Sequence, residues 1–225
     1  MREVPTAAPG PASEETAVQA AVSAAVGRPL FWLVVVAALA AWPAVWAARS
    51  TIPPPPPVLG TLPSFRLVDQ DGSPFGSEDL AGHVWVASFI FTRCSTACPA
   101  ITRQMLRIER RARNLEPAFH LVSISVDPGF DTPARLAEYA RTWRASPRMW
   151  TFLTGPSDAV RKTVVDGLRV SVQGDPDAAG PDALSHGTHL VLVDRRGRIR
   201  GYYASDAPDA VDRVVRDAAL LVDRE

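Results

Sequence analysis

Residues 84–99 read VWVASFIFTRCSTACP, and this segment gives the clearest indication of the fold. Its first part, residues 84–91, is an unbroken apolar run of strand length, rich in β-branched and aromatic side chains. Such a run is typical of a central strand that is buried on both faces. Cys94 and Cys98 follow at once, and Pro99 suits the first turn of a helix. The stretch therefore predicts a strand, a loop with two cysteines, and a helix.

The rest of the chain after residue 58 alternates strand and helix signals. Short apolar runs predict strands, and Asp131-Thr132-Pro133 and Ser157 are the expected starts of two helices. The expected strands cover 65–68, 119–126, 150–153, 190–193 and 199–203, and the expected helices 99–114, 133–143, 157–168 and 208–222. Residues 172–185, rich in Gly, Pro and Asp, are expected to form a loop. The alternation predicts an α/β fold with parallel strands in the middle of the sheet and a hairpin at one edge.

The N-terminal part has a different composition from the rest. Residues 1–27 lack periodicity and are predicted to be disordered. Residues 29–48 form an apolar run of bilayer-spanning length with tryptophans toward its ends, which predicts a transmembrane helix. A cleaved signal peptide ending near Ala47 is the alternative, and a buried core helix a weaker one. Residues 49–58 contain five consecutive prolines and are predicted to be a stiff linker before a folded domain over 59–225.

The composition narrows the function class. The chain has 225 residues with equal numbers of acidic and basic side chains, so its net charge gives no sign of a nucleic-acid partner. Both of its cysteines lie within one five-residue window. A disulfide scaffold would spread its cysteines, and a zinc finger would need more ligands. The pair therefore indicates redox chemistry or a small metal site.

The spacing of Cys94 and Cys98 suits that chemistry. One helical turn separates them, so both sulfur atoms lie on one side, within the range that a disulfide tolerates. The helix N-terminus is expected to lower a nearby thiol's pKa. Two thiolates bind Cu(I), and a neutral imidazole would complete a site that also accepts Cu(II). His186 and His189 are the candidates in the loop sequence LSHGTH.

Other assignments of the cysteines and histidines are weaker. Thioredoxin-like reductases have two residues between their cysteines, whereas three lie here. Peroxiredoxins need a proline and a threonine before the reactive cysteine, and Ala87 and Phe91 occupy those positions. His83 and His120 are expected to have ordinary packing or surface roles.

Together, these residues resemble the Sco family, also called SenC, which are copper-binding assembly factors of cytochrome c oxidase. The resemblance covers about residues 59–222 and is carried by the segments FTRCSTACP at 91–99, SVDP at 125–128, DTP at 131–133, and Ser185-His186 with the strand that follows. It implies a thioredoxin-like fold, a central mixed sheet flanked by helices, with the late histidine facing the cysteine loop.

The resemblance also implies which residues act. Cys94, Cys98 and His186 correspond to the family's copper ligands, and the two cysteines to its redox pair, joined as a disulfide when oxidised. Ser95 stands where many members have proline, and His189 is an added histidine. Asp127 corresponds to an acidic position near the site, as support for the metal loop or as a helix cap.

Three functions remain open at this point. The first is a metallochaperone, rather than an enzyme, that delivers copper to oxidase subunit II. The second is a thiol–disulfide oxidoreductase that keeps the oxidase cysteines reduced and is itself served by a thiol reductant. The third is a redox-sensing anchor protein without a delivery role. By resemblance, the expected location is the cytoplasmic membrane, crossed once, with the soluble domain on the periplasmic side.

Overall fold

The computed structural model describes residues 19, 26–49, 53–94, 97–174, 184–186 and 188–224. Most of the segment 1–27, which is predicted to be disordered, lies outside these residues, and so does part of the predicted linker. The chain divides into two compact units, with the boundary between Pro53 and Pro54. In the first unit, helix α1 spans Pro29–Arg49 and includes Pro43.

Helix α1 coincides with the predicted transmembrane segment, but the prediction of a span is not confirmed. Among the described residues, no helix combines the length and the hydropathy needed to cross a membrane. The apolar run thus forms a helix. A long apolar run favours a helix both inside a bilayer and outside one.

The second unit is built on a mixed sheet of eight strands in the order β1-β10-β9-β4-β5-β6-β2-β3. The strands of this sheet are β1 Gly60–Thr61, β2 Arg66–Asp69, β3 Pro74–Gly76, β4 Val84–Ile90, β5 Phe119–Ser125, β6 Trp150–Thr154, β9 His189–Val193 and β10 Arg198–Ala204. A separate two-stranded ladder pairs β7 Val172–Gly174 with β8 Leu184–His186. The predicted α/β class with parallel strands in the middle is confirmed, because β4, β5 and β6 run parallel.

The central strands are covered on both faces. Every residue of β4 is buried, and so is every residue of β6. Buried polar groups in such strands need partners inside the protein. Ser88 Oγ lies 2.8 Å from Ser123 Oγ, its neighbour in the register of β4 and β5. Trp150 Nε1 donates to Ser123 Oγ at 2.9 Å, so one chain of hydrogen bonds crosses the three parallel strands.

The helices pack around this sheet. There are four helices in this unit: α2 Ala97–Arg111, α3 Pro133–Trp143, α4 Ser157–Arg161 and α5 Ala210–Arg224, among the residues that the structure describes. A 3-10 turn at Arg113–Leu115 follows α2, and a π-helical turn at Lys162–Gly167 follows α4. Helices α2 and α5 contact each other and β4, whereas α3 contacts β6. Thr132 caps α3 by accepting a hydrogen bond from the backbone of Arg135, as the Asp-Thr-Pro signal predicts.

Two local predictions are wrong, and two strands lie where none was predicted. Ser157 begins α4 as predicted, but it is not the capping residue: Pro156 occupies the N-cap, and no side chain caps that helix. Residues 172–185 are not loop throughout, because β7 and part of β8 lie within them. Strands β1 and β3 were not predicted, since runs of two or three residues carry too little periodicity to detect.

His120 on β5 makes the stability of this unit depend on pH. Its Nε2 lies 2.9 Å from Thr151 Oγ1, and its ring stacks on Phe75. Burial, with a smaller contribution from His83, lowers the pKa of His120 to about 4, from a usual value of 6.5. The unfolded chain therefore takes up this proton at a higher pH than the folded chain does.

We accordingly expect the free energy of unfolding to fall as the pH drops from about 6.5 to 4. The contribution of His120 is about 3 kcal/mol over this window. Denaturant titrations at several pH values measure it, and His120→Gln should flatten the slope. His189→Gln, at an exposed histidine, is the matched control and should leave the slope as in wild type. An unchanged slope in His120→Gln would contradict the assignment.

Candidate metal centre

The two cysteines lie where β4 ends and α2 begins. Cys94 comes four residues after the strand, and Cys98 is the second residue of the helix. Cys98 N donates to Cys94 Sγ at 3.4 Å, and Phe91 N donates to Cys98 Sγ at 3.4 Å. Neither cysteine is in a disulfide in this structure. The predicted pair is thus brought together at the carboxyl end of a central parallel strand, where α/β folds place their sites.

The two thiols differ in environment. Cys94 is half-buried, whereas Cys98 is 0% exposed. Burial raises the pKa of the Cys98 thiol, and the neighbouring Cys94 adds to the rise. The expectation that the helix N-terminus lowers the thiol pKa is therefore wrong for Cys98, because the loss of solvation on burial is the largest influence on this pKa. The half-buried Cys94 is the thiol that a partner molecule can reach.

Asp131 holds the start of the cysteine loop. This carboxylate is 0% exposed and accepts from Thr92 N at 3.0 Å, Thr92 Oγ1 at 2.5 Å and Ser125 Oγ at 2.5 Å. Burial raises the pKa of Asp131, and the hydrogen bonds from Ser125 and Thr92 oppose the rise. Because Thr92 lies two residues before Cys94, Asp131 links the cysteine loop to the end of β5.

Asp127 makes a second link to the same loop. Its carboxylate is 1% exposed and lies 2.5 Å from Arg93 Nε, next to Cys94. Phe130 packs between the guanidinium groups of Arg93, at 5.1 Å from the ring centre, and Arg135, at 3.8 Å. Asp127 therefore supports the cysteine loop, and the alternative that it caps α3 is wrong, since Thr132 does so.

A third contact lies behind Cys98. Thr102 Oγ1 donates to the carbonyl of Cys98 at 2.8 Å and lies 2.7 Å from the hydroxyl of Tyr139 on α3. Burial raises the pKa of Tyr139 to about 12. Helix α3 is thereby fastened to the turn of α2 that carries the second cysteine.

The two candidate histidines lie in different strands. His186 ends β8, where it pairs with Val172, and its side chain is outside the described part of the structure. His189 begins β9, pairs with Ala204 and is exposed. It lines a cavity with Arg169 and Tyr202. The structure therefore brings together Cys94 and Cys98, and it separates the two histidines into different sheets.

Within the side chains that the structure describes, no three of His, Cys, Asp and Glu are grouped to hold a metal ion. The supporting residues Asp131, Thr92 and Tyr139 were not identified from the sequence. Asp131 reads there as part of a helix start, and Tyr139 as an inward-facing helix residue. A buried acidic residue that supports the cysteine loop can be recognised only when the pairing of the neighbouring strands is known.

Comparison with known proteins gives a consistent result. The SCO1/SenC family model matches residues 58–220. The SCO1 protein homolog of Bacillus subtilis (strain 168) is 30% identical over 154 residues, which is 68% of this chain and 78% of that protein.

Two solved structures share the fold. BsSco, a member of the Sco family of cytochrome c oxidase assembly proteins with a disulfide switch, superposes with a TM-score of 0.67 at 26% identity, covering 77% of this chain and 100% of BsSco. Yeast Sco1 with copper bound superposes with a TM-score of 0.57 at 25% identity, covering 71% of this chain and 87% of the yeast protein.

Proposed function

Because the chain belongs to the SCO1/SenC family, we propose that it binds one copper ion and delivers it during assembly of cytochrome c oxidase. The proposed ligands are Cys94, Cys98 and His186, and the proposed recipient is the copper site of oxidase subunit II. The observation that carries the proposal is the pair of adjoining sulfur atoms at the end of β4.

The donor set suits copper in both of its oxidation states. Thiolate sulfur is a soft ligand that favours Cu(I), and an imidazole nitrogen adds a donor suited to Cu(II). Around Cys94 and Cys98, hydrogen bonds from Phe91 and from α2 already direct the sulfur atoms. The ion pair of Asp127 with Arg93 holds the same loop from outside. A preorganised loop lowers the cost of binding the ion.

Relatives support the delivery role. Yeast Sco1 has been crystallised with copper bound, and BsSco belongs to a family of oxidase assembly proteins. The half-buried Cys94 gives an acceptor protein access to one ligand, so that copper can pass by ligand exchange. The buried Cys98 would release the ion last.

The deciding experiment compares two histidine variants in copper-loaded protein. A site of two thiolates and one imidazole should give a strong sulfur-to-copper charge-transfer band with Cu(II). His186→Ala should lose this band and most Cu(II) affinity, while keeping more of the Cu(I) binding, which rests on sulfur. His189→Ala is the matched control and should change little. If His189→Ala loses the band and His186→Ala keeps it, the ligand assignment is refuted.

A thiol–disulfide oxidoreductase is the second candidate, favoured by the unequal exposure of the two thiols. The Cys94 thiolate would attack a partner disulfide to form a mixed disulfide, and Cys98 would then displace the partner as a thiol. The partner gains two electrons and two protons, and Cys94 and Cys98 end as a disulfide. Reduction of oxidase subunit II that survives His186→Ala would favour this function over copper delivery.

We also infer that α1 associates with a membrane and that the copper-binding unit works on the outer side of the cytoplasmic membrane. The helix exposes large apolar side chains, with Leu39 68% and Trp42 70% exposed, and such surface is unfavourable in water. The full chain should stay with membranes after an alkaline carbonate wash, and a chain beginning at Val58 should be released. Release of both chains would contradict the inference.

A further inference from the structure

A second cluster of cationic and polar side chains lies outside the cysteine loop. A cavity of about 430 Å³ is lined by Leu59, Arg169, Val170, Ser171, His189 and Tyr202. The lining provides a guanidinium, an imidazole and two hydroxyl groups, and it contains no carboxylate among the residues described. We propose that this cavity binds an anion of the phosphate class. The proposal does not depend on the copper site.

The backbone places Arg169 at the cavity in an unusual way. The π-helical turn Lys162–Gly167 follows α4, and Leu168 N closes it by donating to Thr163 O at 2.8 Å. Arg169 then has a φ of 56°, in the left-handed region that side chains other than glycine avoid. π-Helical turns and strained residues are concentrated at functional sites.

The guanidinium of Arg169 is positioned by packing on β1. A β-carbon added to Gly60 would lie 3.5, 3.6 and 3.7 Å from the central carbon and the two terminal nitrogens of the group. Such similar distances mean that the flat face of the guanidinium covers Gly60, so its N–H groups point sideways, away from that backbone. Arg169 forms no ion pair with any side chain in the described ranges. Its donors suit the bidentate contact that arginine makes with phosphate.

His189 adds a second group to Arg169 in the cavity, and Tyr202 forms the wall beside it. Tyr202 pairs with Val191 across β9 and β10, and His189 lies two residues before Val191, so both side chains share one face of the sheet. The hydroxyl of Tyr202 donates to Leu168 O at 3.1 Å, which ties β10 to the residue before Arg169. The cavity thus gives a role to the histidine that the copper assignment leaves over.

A phosphate-class anion has two sources, a free phosphate or a lipid headgroup. Leu59 in the lining and the neighbouring Val58 are 46% and 49% exposed. Their apolar surface is compatible with a free phosphate and with a lipid. Both sources present negatively charged phosphate oxygen atoms that the guanidinium of Arg169 can bind. The test therefore uses two probes, inorganic phosphate and vesicles of phosphatidylglycerol, with phosphatidylcholine vesicles as the uncharged reference.

The experiment uses the purified full-length chain and calorimetric titration with phosphate. We expect binding at one site, weakened about tenfold or more in Arg169→Gln because charge-assisted hydrogen bonds are lost. Arg169→Gly is the second variant, since glycine suits the left-handed backbone and this chain should fold at least as well as wild type. Arg161→Gln, at an exposed arginine on α4, is the matched control and should bind like wild type.

The outcomes separate cleanly. Phosphate binding that both Arg169 variants lose supports a free anion, and a preference for phosphatidylglycerol vesicles that both variants lose supports a lipid headgroup. Cys98→Ser should leave either result unchanged, which separates this site from the copper site. Equal binding by wild type and Arg169→Gly, or no binding in either arm, would overturn the proposal.

Discussion

Replacing Cys98 by serine is expected to abolish binding of both Cu(I) and Cu(II). Its sulfur is the inner of the two proposed thiolate ligands, and the side chain is 0% exposed, so neither solvent nor a surface residue can take its place. A serine hydroxyl is a hard donor that stays protonated near neutral pH and binds Cu(I) poorly. Copper analysis after gel filtration, with Cu(I) and Cu(II) loaded separately, measures the effect. Cys94→Ser should behave in the same way.

A sulfur-containing control is available on the same helix. Met105 is also 0% exposed on α2, two turns after Cys98. Met105→Leu removes a buried sulfur of the kind that copper accepts, but it should leave the copper content of the protein unchanged. Stoichiometric copper binding by a folded Cys98→Ser variant would contradict the proposed metal centre.

Replacing Asp194 by alanine should cause a large loss of stability. Asp194 is 0% exposed and lies 2.7 Å from both Arg198 Nε and Arg200 Nη1. Its other oxygen accepts the backbone N–H groups of Arg196 and Arg198. Burial opposes ionisation, but these hydrogen bonds together hold the pKa of Asp194 below its usual value. Arg200, only 5% exposed, would be left without this carboxylate partner.

Breaking one side of such a buried pair costs about 3–5 kcal/mol. Chemical denaturation of Asp194→Ala against wild type should show a loss of that size. Asp212→Ala is the matched control, because its ion pair with Arg111 is exposed on both sides and should contribute less than about 1 kcal/mol. Equal losses in the two variants would mean that the Asp194 cluster is no more than a surface pair.

Much of the fold could be predicted because its main strands carry their own pattern. The apolar run of β4 is readable in the sequence because that strand is buried along its whole length. Strand β1 is different, since two residues become a strand only by pairing with Ile199 and Arg198 far along the chain. The pairing of β7 with β8 is also missed. The Gly, Pro and Asp residues between these two strands make the sequence resemble a loop.

The site divides in a similar way. Cys94 and Cys98 are visible because their spacing is local. The pKa of Cys98 was predicted in the wrong direction, since a helix start is a local feature and burial is a tertiary one. From the sequence, Asp131 is interpreted as part of a helix start. The pairing of β4 with β5 brings its carboxylate to Thr92. Contacts between loops are a property of strand alignment, which no short motif encodes.

The bond between Ser88 and Ser123 has a consequence for folding fidelity. Apolar strands such as β4 and β5 fit together almost equally well after a slip, because one hydrophobic side chain replaces another. A slip would strand the two hydroxyl groups among apolar neighbours, at a cost of about 1–3 kcal/mol each. It would also displace the loop of Cys94 from Asp127 and Asp131 by about 3.3 Å per residue. Two buried serines thus act as an alignment mark that sets where the cysteine loop meets its acidic supports.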